Sequence, residues 1–140
     1  MTVRDRRRTV SRVRHLNPPT VAAARGYSHA VEAVGGRTLY VAGQVALAPD
    51  GTLVGPGDVR VQAEQVFENL RAVLAAGGAD YGDVVKLGFY LRDFTAFDAV
   101  RAVRDQYVDT ANPPASTAVA VVSLAAPEFL IEVDAVAVLE

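Results

Sequence analysis

Two carboxylates near the C-terminus, Glu132 and Asp134, are the side chains of this chain with the clearest chemical potential. They are two positions apart in a segment that alternates apolar and polar residues, so a strand would place both on one face. A carboxylate in a cleft can orient a water molecule or act as a general base. Together with the tyrosines and arginines elsewhere, these residues allow acid–base or binding chemistry.

Other kinds of catalytic chemistry lack the residues they require. The chain has no cysteine, which excludes disulfides, thiolate nucleophiles and zinc sites built on sulfur. It has two histidines, His15 and His29, and no Gly-x-Ser-x-Gly motif that would indicate a nucleophilic serine. Residues 55–57, Gly-Pro-Gly, precede a predicted helix but lack the lysine of a phosphate-binding loop. No set of carboxylates has metal-ligand spacing.

The charges are unevenly distributed along the chain. Residues 1–14 carry six arginines and one aspartate, whereas residues 15–140 hold eight basic and fifteen acidic side chains. An acidic body repels phosphate backbones, which argues against nucleic acid as a partner of residues 15–140. We predict a basic, partly ordered N-terminal arm over residues 1–20 and one domain over residues 21–140. The arm alone could contact nucleic acid or an anionic surface.

Composition indicates a globular domain. Of 140 residues, 51% are hydrophobic and 21% are charged, which is typical of a chain with a packed core. No apolar run approaches the roughly 20 residues of a membrane-spanning helix. No apolar segment follows the arginines, so we expect no export signal. The absence of cysteine fits a cytoplasmic location.

Hydrophobic periodicity predicts five strands and two helices. The strands are expected at residues 29–34, 38–45, 84–91, 116–124 and 129–138, and the helices at residues 58–76 and 95–108. Gly35-Gly36 predicts a hairpin between the first two strands. Gly77-Gly78 should end the first helix with a left-handed cap, and Thr95 with Asp98 resembles a capping box for the second.

This order of elements favours an α+β fold in which both helices pack on one face of a sheet. In the last strand, one face would be apolar, with Ile131 and Val133, while the other mixes Glu132 and Asp134 with Val136. Such a mixed face is typical neither of a core nor of a free surface. It indicates a subunit interface lined with polar sites, and therefore an oligomer.

Four segments of the sequence form a distinctive combination. They are Gly-Tyr-Ser-His-Ala at 26–30, Leu-Tyr-Val-Ala-Gly-Gln at 39–44, Phe-Tyr-Leu-Arg-Asp-Phe at 89–94 with Phe97, and Pro-Ala-Ser-Thr at 114–117 followed by Ile-Glu-Val-Asp at 131–134. Together they resemble the Rid family, also called YjgF, of imine and enamine deaminases. The resemblance implies a chorismate-mutase-like fold with one mixed sheet, and a homotrimer. It also implies inter-subunit clefts for small imine or carbonyl compounds, without cofactor or metal.

The resemblance also assigns roles to individual residues. Glu132, which would orient or activate the attacking water, and Tyr27, which matches a tyrosine of the family's cleft, would be the catalytic residues. Gly43 matches a glycine of that cleft and would contribute to substrate binding. The family's carboxylate-binding arginine, in the pattern Pro-Ala-Arg-Ser, falls on Ser116, with Thr117 beside it. A neutral hydroxyl cannot replace a bidentate guanidinium, so the chain is identified as a divergent member.

Arg101 is the residue that could restore the missing positive charge. It stands at an asparagine position of the family, and we interpret it as a substrate-binding residue on another wall of the cleft. A pair with Asp98 or Asp105 on its own helix is the alternative. Structural alternatives also stay open for Glu132, as a charged strand residue at an interface, and for Tyr27, as a packed ring.

Two functions of different classes follow from these residues. The first is a divergent hydrolase acting on imines or enamines, with Glu132 steering the water. The second is a non-catalytic, small-molecule-binding trimer, which the serine at position 116 favours. A role directed at RNA ranks third because the body of the chain is acidic.

Overall fold

The computed structural model describes residues 13–140. Its elements in chain order are β1 (Val13–Leu16), β2 (Ala30–Ala33), β3 (Arg37–Gln44), α1 (Val59–Ala76), β4 (Val84–Leu91), α2 (Phe97–Arg104), β5 (Ala115–Ala120) and β6 (Ile131–Leu139). Short 3-10 turns at Tyr81–Asp83 and Phe94–Ala96 precede β4 and α2. Within the described range, the structure adds one strand, β1, to those that the sequence predicted.

Four of the strands form a mixed sheet in the order β3-β6-β4-β5. β4 and β5 run parallel, whereas β6 lies antiparallel to both of its neighbours, β3 and β4. The last strand of the chain is therefore central in the sheet. Its side chains alternate between buried and half-buried positions along its whole length, as its alternating sequence predicted.

Both helices pack on one face of this sheet. Phe67 and Leu74 of α1, Val103 of α2 and Val133 of β6 belong to one buried hydrophobic cluster. α1 begins where its sequence predicted, because Asp58 accepts a hydrogen bond from the backbone N–H of Val61 at 3.2 Å. The predicted α+β fold, with two helices on one face of a mixed sheet, is confirmed.

The first two predicted strands do not pair with each other. β2 pairs antiparallel with β1 in a separate two-stranded sheet, and β3 pairs with β6. The hairpin prediction at Gly35-Gly36 is therefore wrong. Both glycines adopt left-handed φ values, 72° and 77°, which permit a turn without deciding which strand the next segment will join. Residues 1–12 of the predicted arm lie outside the described residues.

α2 begins later and ends earlier than its pattern predicted. Asp93 accepts hydrogen bonds from the backbone N–H and the hydroxyl of Thr95, at 2.9 and 2.7 Å, and caps the 3-10 turn before the helix. The capping box predicted for Thr95 and Asp98 is therefore wrong, since Thr95 is itself the donor to an earlier cap. α2 ends at Arg104 rather than at Val108.

The second face of the four-stranded sheet lies away from both helices, and we call it the open face. Its side chains are those of Tyr40, Lys86, Tyr90, Thr117, Val119, Glu132, Asp134 and Val136. Tyr40 is 83% exposed, and Glu132 and Asp134 are half-buried. Within residues 13–140, no helix has the length and apolar character needed to cross a membrane.

Candidate functional site

Glu132 and Gly43 are neighbours on the open face. Between Val41 and Gln44, β3 contains one residue more than the segment of β6 that it pairs with, which is a β-bulge. The Glu132 carboxylate lies so close to Gly43 that a Cβ atom there would overlap its Oε1. The structure therefore brings these two predicted site residues together, and a larger residue at position 43 would displace the Glu132 carboxylate.

Asp134 is seated in a similar way against the other neighbouring strand. It lies directly opposite Gly88 of β4, where a Cβ atom would overlap its Oδ1. The hydroxyl of Tyr90 donates a hydrogen bond of 2.9 Å to Asp134 Oδ2. This bond, the Asp134 charge, partial desolvation and the Glu132 charge raise the pKa of Tyr90. The Tyr90 phenol is therefore stabilised in its protonated, neutral form.

Gly88 and Tyr90 were not predicted as site residues from the sequence. The signal that could have found them is the alternation of side chains along a strand, because residues 86, 88 and 90 share one face. Once β4 is placed beside β6, that face is the one that carries Glu132 and Asp134. The order of strands in the sheet was the missing information.

Thr117 and Ser116, adjacent in sequence, lie on opposite faces of β5. Thr117 is on the open face, where its hydroxyl accepts a hydrogen bond of 2.7 Å from Lys86 Nζ. Ser116 is in register with Leu87, whose side chain is fully buried under the helices. Alternation along the strand thus separates two residues that the sequence analysis grouped together.

Arg101 lies on α2 beside the loop that carries Tyr27. Its Nη2 donates a hydrogen bond of 3.3 Å to the carbonyl oxygen of Arg25. Its guanidinium is 5.8 Å from the centroid of the Phe97 ring, a cation–π contact. These contacts place the Arg101 guanidinium against the carbonyl of Arg25, which is two residues before Tyr27 in the sequence.

Gly26 allows two arginines to approach this loop. It has a φ of 76°, and a Cβ atom would lie 2.9 Å from Arg101 Nη2 and 2.8 Å from Arg104 Nη2. Arg104 is neutralised by Asp105, whose Oδ1 is 2.7 Å from its Nη2. Asp105 therefore pairs with Arg104, and none of the ion pairs among residues 13–140 includes Arg101. Arg101 keeps its charge for another partner.

The loop with Tyr27 is fixed to the start of β5. The backbone N–H of Ser28 donates to the Pro114 carbonyl at 3.1 Å, and its hydroxyl donates to the Pro113 carbonyl. His15 of β1 lies with Nδ1 2.9 Å from the Ser28 hydroxyl. Ser28 is 1% exposed, so this serine serves as a structural tie and not as a nucleophile.

A cavity of about 580 Å³ opens between the segment 17–29, which includes the loop with Tyr27, and the segment 110–113. Tyr27 and His29 are in its wall, with their rings edge to face and their centroids 5.4 Å apart. The His29 ring contacts the Ala22 carbonyl through Nε2 at 2.6 Å. Tyr27 is thus half-buried at the edge of a space that could admit a small molecule.

The predicted site residues therefore form two groups in one chain. Glu132, Gly43 and Thr117 lie on the open face, while Arg101 and Ser116 lie on the side of the helices, with the Tyr27 loop next to them. The open face and α2 are on opposite sides of the sheet, so the sheet separates Glu132 from Arg101. One copy of the chain does not bring the two groups together.

Comparisons with known proteins give a consistent result. Residues 18–139 match the family model described as endoribonuclease L-PSP. A RutC family protein of Synechocystis is 45% identical over 114 residues, which are 81% of this chain and 85% of that protein. A 2-iminobutanoate/2-iminopropanoate deaminase of Rattus norvegicus is 37% identical over 117 residues, covering 84% and 82%. A solved protein of unknown function from the Rid family of Yersinia pestis is 41% identical with a TM-score of 0.85, covering 91% of this chain and 99% of that one.

Proposed function

This chain belongs to the Rid family, also called YjgF, and we propose that it hydrolyses small imines or enamines in clefts between the subunits of a homotrimer. The observation that carries the proposal is the Glu132 carboxylate, which lies half-buried on the open face against Gly43 at the bulge of β3. A carboxylate in such a position can orient a water molecule and accept its proton. The 37% identity to an iminobutanoate deaminase supports the substrate class.

The proposed reaction needs one water molecule for each imine. Glu132 takes a proton from water while the oxygen forms a bond to the imine carbon and the π electrons move to nitrogen. Glu132 then returns the proton to the nitrogen of the carbinolamine. The C–N bond then breaks while the carbinolamine hydroxyl transfers its proton to the leaving nitrogen, so that the products are a carbonyl compound and ammonia.

Arg101 is proposed to bind the anionic group of the substrate. Ser116 offers a hydroxyl at the position where the family pattern has arginine, whereas the Arg101 guanidinium is held by a carbonyl and a ring and has no acidic partner among residues 13–140. A guanidinium suits a planar carboxylate. In this proposal Tyr27 closes the cleft over the substrate, and Ser116 and Thr117 leave room for its side chain.

The trimer is proposed because it would join the two groups of residues. Contact between the open face of one copy and the Tyr27 loop of the next would place Glu132 and Arg101 in one cleft. The open face carries exposed apolar residues, with Tyr40 at 83% and Val119 at 40% exposure, which is typical of a surface that is covered in an assembly.

The test is hydrolysis of freshly generated imines of amino acids with short, branched and aromatic side chains. Oxidase-generated imines are trapped in the presence and absence of the protein, with Glu132→Gln as the control variant. Faster hydrolysis that is lost in Glu132→Gln supports the proposal. Equal rates with and without the protein, over the whole panel, would contradict it.

A second function, a binding trimer without catalysis, is favoured by one observation. Position 116 holds serine where the family pattern has arginine. The cleft could then still bind the small molecule without holding it in the orientation that catalysis requires. In that case carbonyl compounds such as 2-oxobutanoate would raise the melting temperature although no imine is hydrolysed faster. Turnover by the wild-type protein would exclude this function.

A further inference from the structure

Tyr90 stands next to Glu132 on the open face. The two residues are directly opposite in the antiparallel pairing of β4 and β6, and cross-strand neighbours have Cβ atoms about 5 Å apart. In the proposed reaction, Glu132 holds the water that attacks the imine carbon. The Glu132 carboxylate lies against Gly43 of β3, and the Tyr90 hydroxyl lies near Gly88 of β4, on the other side of β6. A substrate above β6 would therefore present its carbon to one group and its nitrogen to the other.

The hydroxyl of Tyr90 has a fixed polarity. It donates its only proton to Asp134 Oδ2 at 2.9 Å, and the Asp134 carboxylate is held in turn against Gly88. The lone pairs of the Tyr90 oxygen are therefore directed away from Asp134, and they carry increased negative charge because the acceptor is ionised. Lys86, the basic side chain of this face, donates to Thr117 and lies four positions away from Tyr90 along β4. Tyr90 thus presents an acceptor and not a donor.

An acceptor distinguishes the two forms of an imine nitrogen. A neutral imine has a lone pair on nitrogen and needs a donor, whereas a protonated, N-unsubstituted iminium ion has two N–H donors and a positive charge. Glu132 and Tyr90 with Asp134 provide only acceptors and negative charge on this part of the face. A nitrogen placed here is stabilised when it is protonated.

We propose that Tyr90 binds the iminium N–H of the substrate, with Asp134 as the residue that positions and polarises it, so that the site selects N-unsubstituted iminium ions over N-alkyl ones. The inference rests on the proposed hydrolysis. It assigns to that function the residue that recognises the substrate nitrogen. After the C–N bond breaks, the same acceptor holds an N–H of the leaving ammonia.

Kinetics with two matched substrates test the inference. The imines of alanine and of N-methylalanine differ in one N–H. The rate of hydrolysis of each imine is measured with the wild-type protein and with the variants Tyr90→Phe, Tyr40→Phe and Glu132→Gln. Tyr40→Phe is the matched control, because it removes a hydroxyl from the same face at a position on β3 that is 83% exposed. We expect Tyr90→Phe to lower kcat/KM for the primary imine by about tenfold or more, as for a hydrogen bond to a charged group. The N-methyl imine should lose much less.

Equal losses for both substrates in Tyr90→Phe, or no loss for either, would overturn the inference. The proposed hydrolysis would still stand if the wild-type protein is active and Glu132→Gln is not. Asp134→Asn is expected to reduce the preference for the primary imine while keeping the melting temperature, because it leaves the hydroxyl in place without its charged acceptor.

If the wild-type protein hydrolyses neither imine, the role of Tyr90 is tested by the binding of acetamidinium. This stable planar cation has the N–H groups of an iminium ion and is not hydrolysed on the time scale of a titration. Calorimetry should show about tenfold weaker binding to Tyr90→Phe than to the wild type and Tyr40→Phe. Equal binding to all three proteins, or none to the wild type, would overturn the inference.

Discussion

Glu132 and Asp134 each occupy space that a glycine on a neighbouring strand leaves free, Gly43 on β3 and Gly88 on β4. Each carboxylate therefore approaches the backbone of a neighbouring strand more closely than a side chain at the glycine position would allow, and Asp134 is also hydrogen-bonded by Tyr90. Orientation of a catalytic group is worth more to catalysis than proximity alone, since a displacement of about 1 Å can cost about a hundredfold in rate. The two glycines are therefore part of the candidate site although they offer no reactive group.

The role of Arg101 is tested by truncation. Arg101→Ala should raise KM for imines that carry a carboxylate by about tenfold or more, because a charge-assisted hydrogen bond is lost. The melting temperature should change little, because Arg101 makes no ion pair among residues 13–140 and the variant loses only an exposed hydrogen bond to Arg25 and the contact with Phe97. Arg60→Ala is the matched control, since Arg60 forms an exposed pair with Glu64 on α1. Unchanged kinetics in Arg101→Ala would rule out the role proposed for it.

Tyr107 should make the protein sensitive to alkaline pH. Partial burial and a hydrogen bond of 2.8 Å to Glu68 raise the pKa of Tyr107 to about 12, above the value of 10.0 for a free side chain. The folded state therefore keeps a proton that the unfolded state loses, so stability is complete below pH 10 and falls as the pH rises toward 12. Urea unfolding at a series of pH values measures this loss.

Tyr107→Phe provides the comparison for the alkaline loss. It removes the titrating group, so its unfolding midpoint should fall less steeply above pH 10 than that of the wild type. Burial also raises the pKa of Tyr81, and this group leaves a residual slope in the variant. Identical slopes for the two proteins would mean that Tyr107 titrates at its ordinary pKa in the folded state.

Among the elements, local patterns predicted the helices and strands, while pairing between distant segments was not predictable. α1 and β6 follow their periodicity closely, with Asp58 as the cap of one and alternate burial along the other. β2 and β3 were placed correctly but paired wrongly, because the choice of partner depends on segments far along the chain. The same non-local information hid Tyr90, which becomes a site residue only when β4 lies beside β6.

Gln62 connects α1 to the strand that carries Glu132. It is fully buried; its side-chain amide donates to the carbonyls of Gly55 and Glu128, and its oxygen accepts from the backbone N–H of Leu130, immediately before β6. Gln62→Leu would remove the side-chain partner of three backbone groups in part-buried hydrogen bonds. The free energy of unfolding should fall by about 3 kcal/mol, since each such group costs about 1–3 kcal/mol before the structure relaxes.

Chemical unfolding with urea measures this effect. Gln65→Leu on the same helix is the matched control, because Gln65 donates one hydrogen bond to a neighbouring side chain, Asn69, and its loss should cost much less. If both variants were equally stable, Gln62 would not be the link that holds the start of β6 in place.

On the scale of the whole molecule, the proposed trimer would complete the candidate site where two copies meet. The open face carries the carboxylates, and the side of the helices carries Arg101. Family resemblance predicted the residues of both groups, but their separation follows from the sheet order and from which face each strand position occupies. Neither can be obtained from residue types alone.

Val136 tests whether the open face is an interface. It is half-buried at the centre of this face, opposite Tyr40, and Val136→Arg would place a charge where copies are proposed to meet. Light scattering should then show the mass of one chain instead of three, and imine hydrolysis should be lost together with assembly. Val73→Arg, on an exposed position of α1, is the matched control and should remain a trimer.

The measurement that tests the central claim most directly is complementation between two inactive variants. Glu132→Gln and Arg101→Ala are co-expressed with different tags, the mixed assemblies are purified, and imine hydrolysis is measured well below KM. If each cleft takes Glu132 from one copy and Arg101 from the next, random assortment restores about one cleft in four, and activity should rise well above that of either variant alone. Activity no higher than the average of the two variants would contradict a cleft shared between copies.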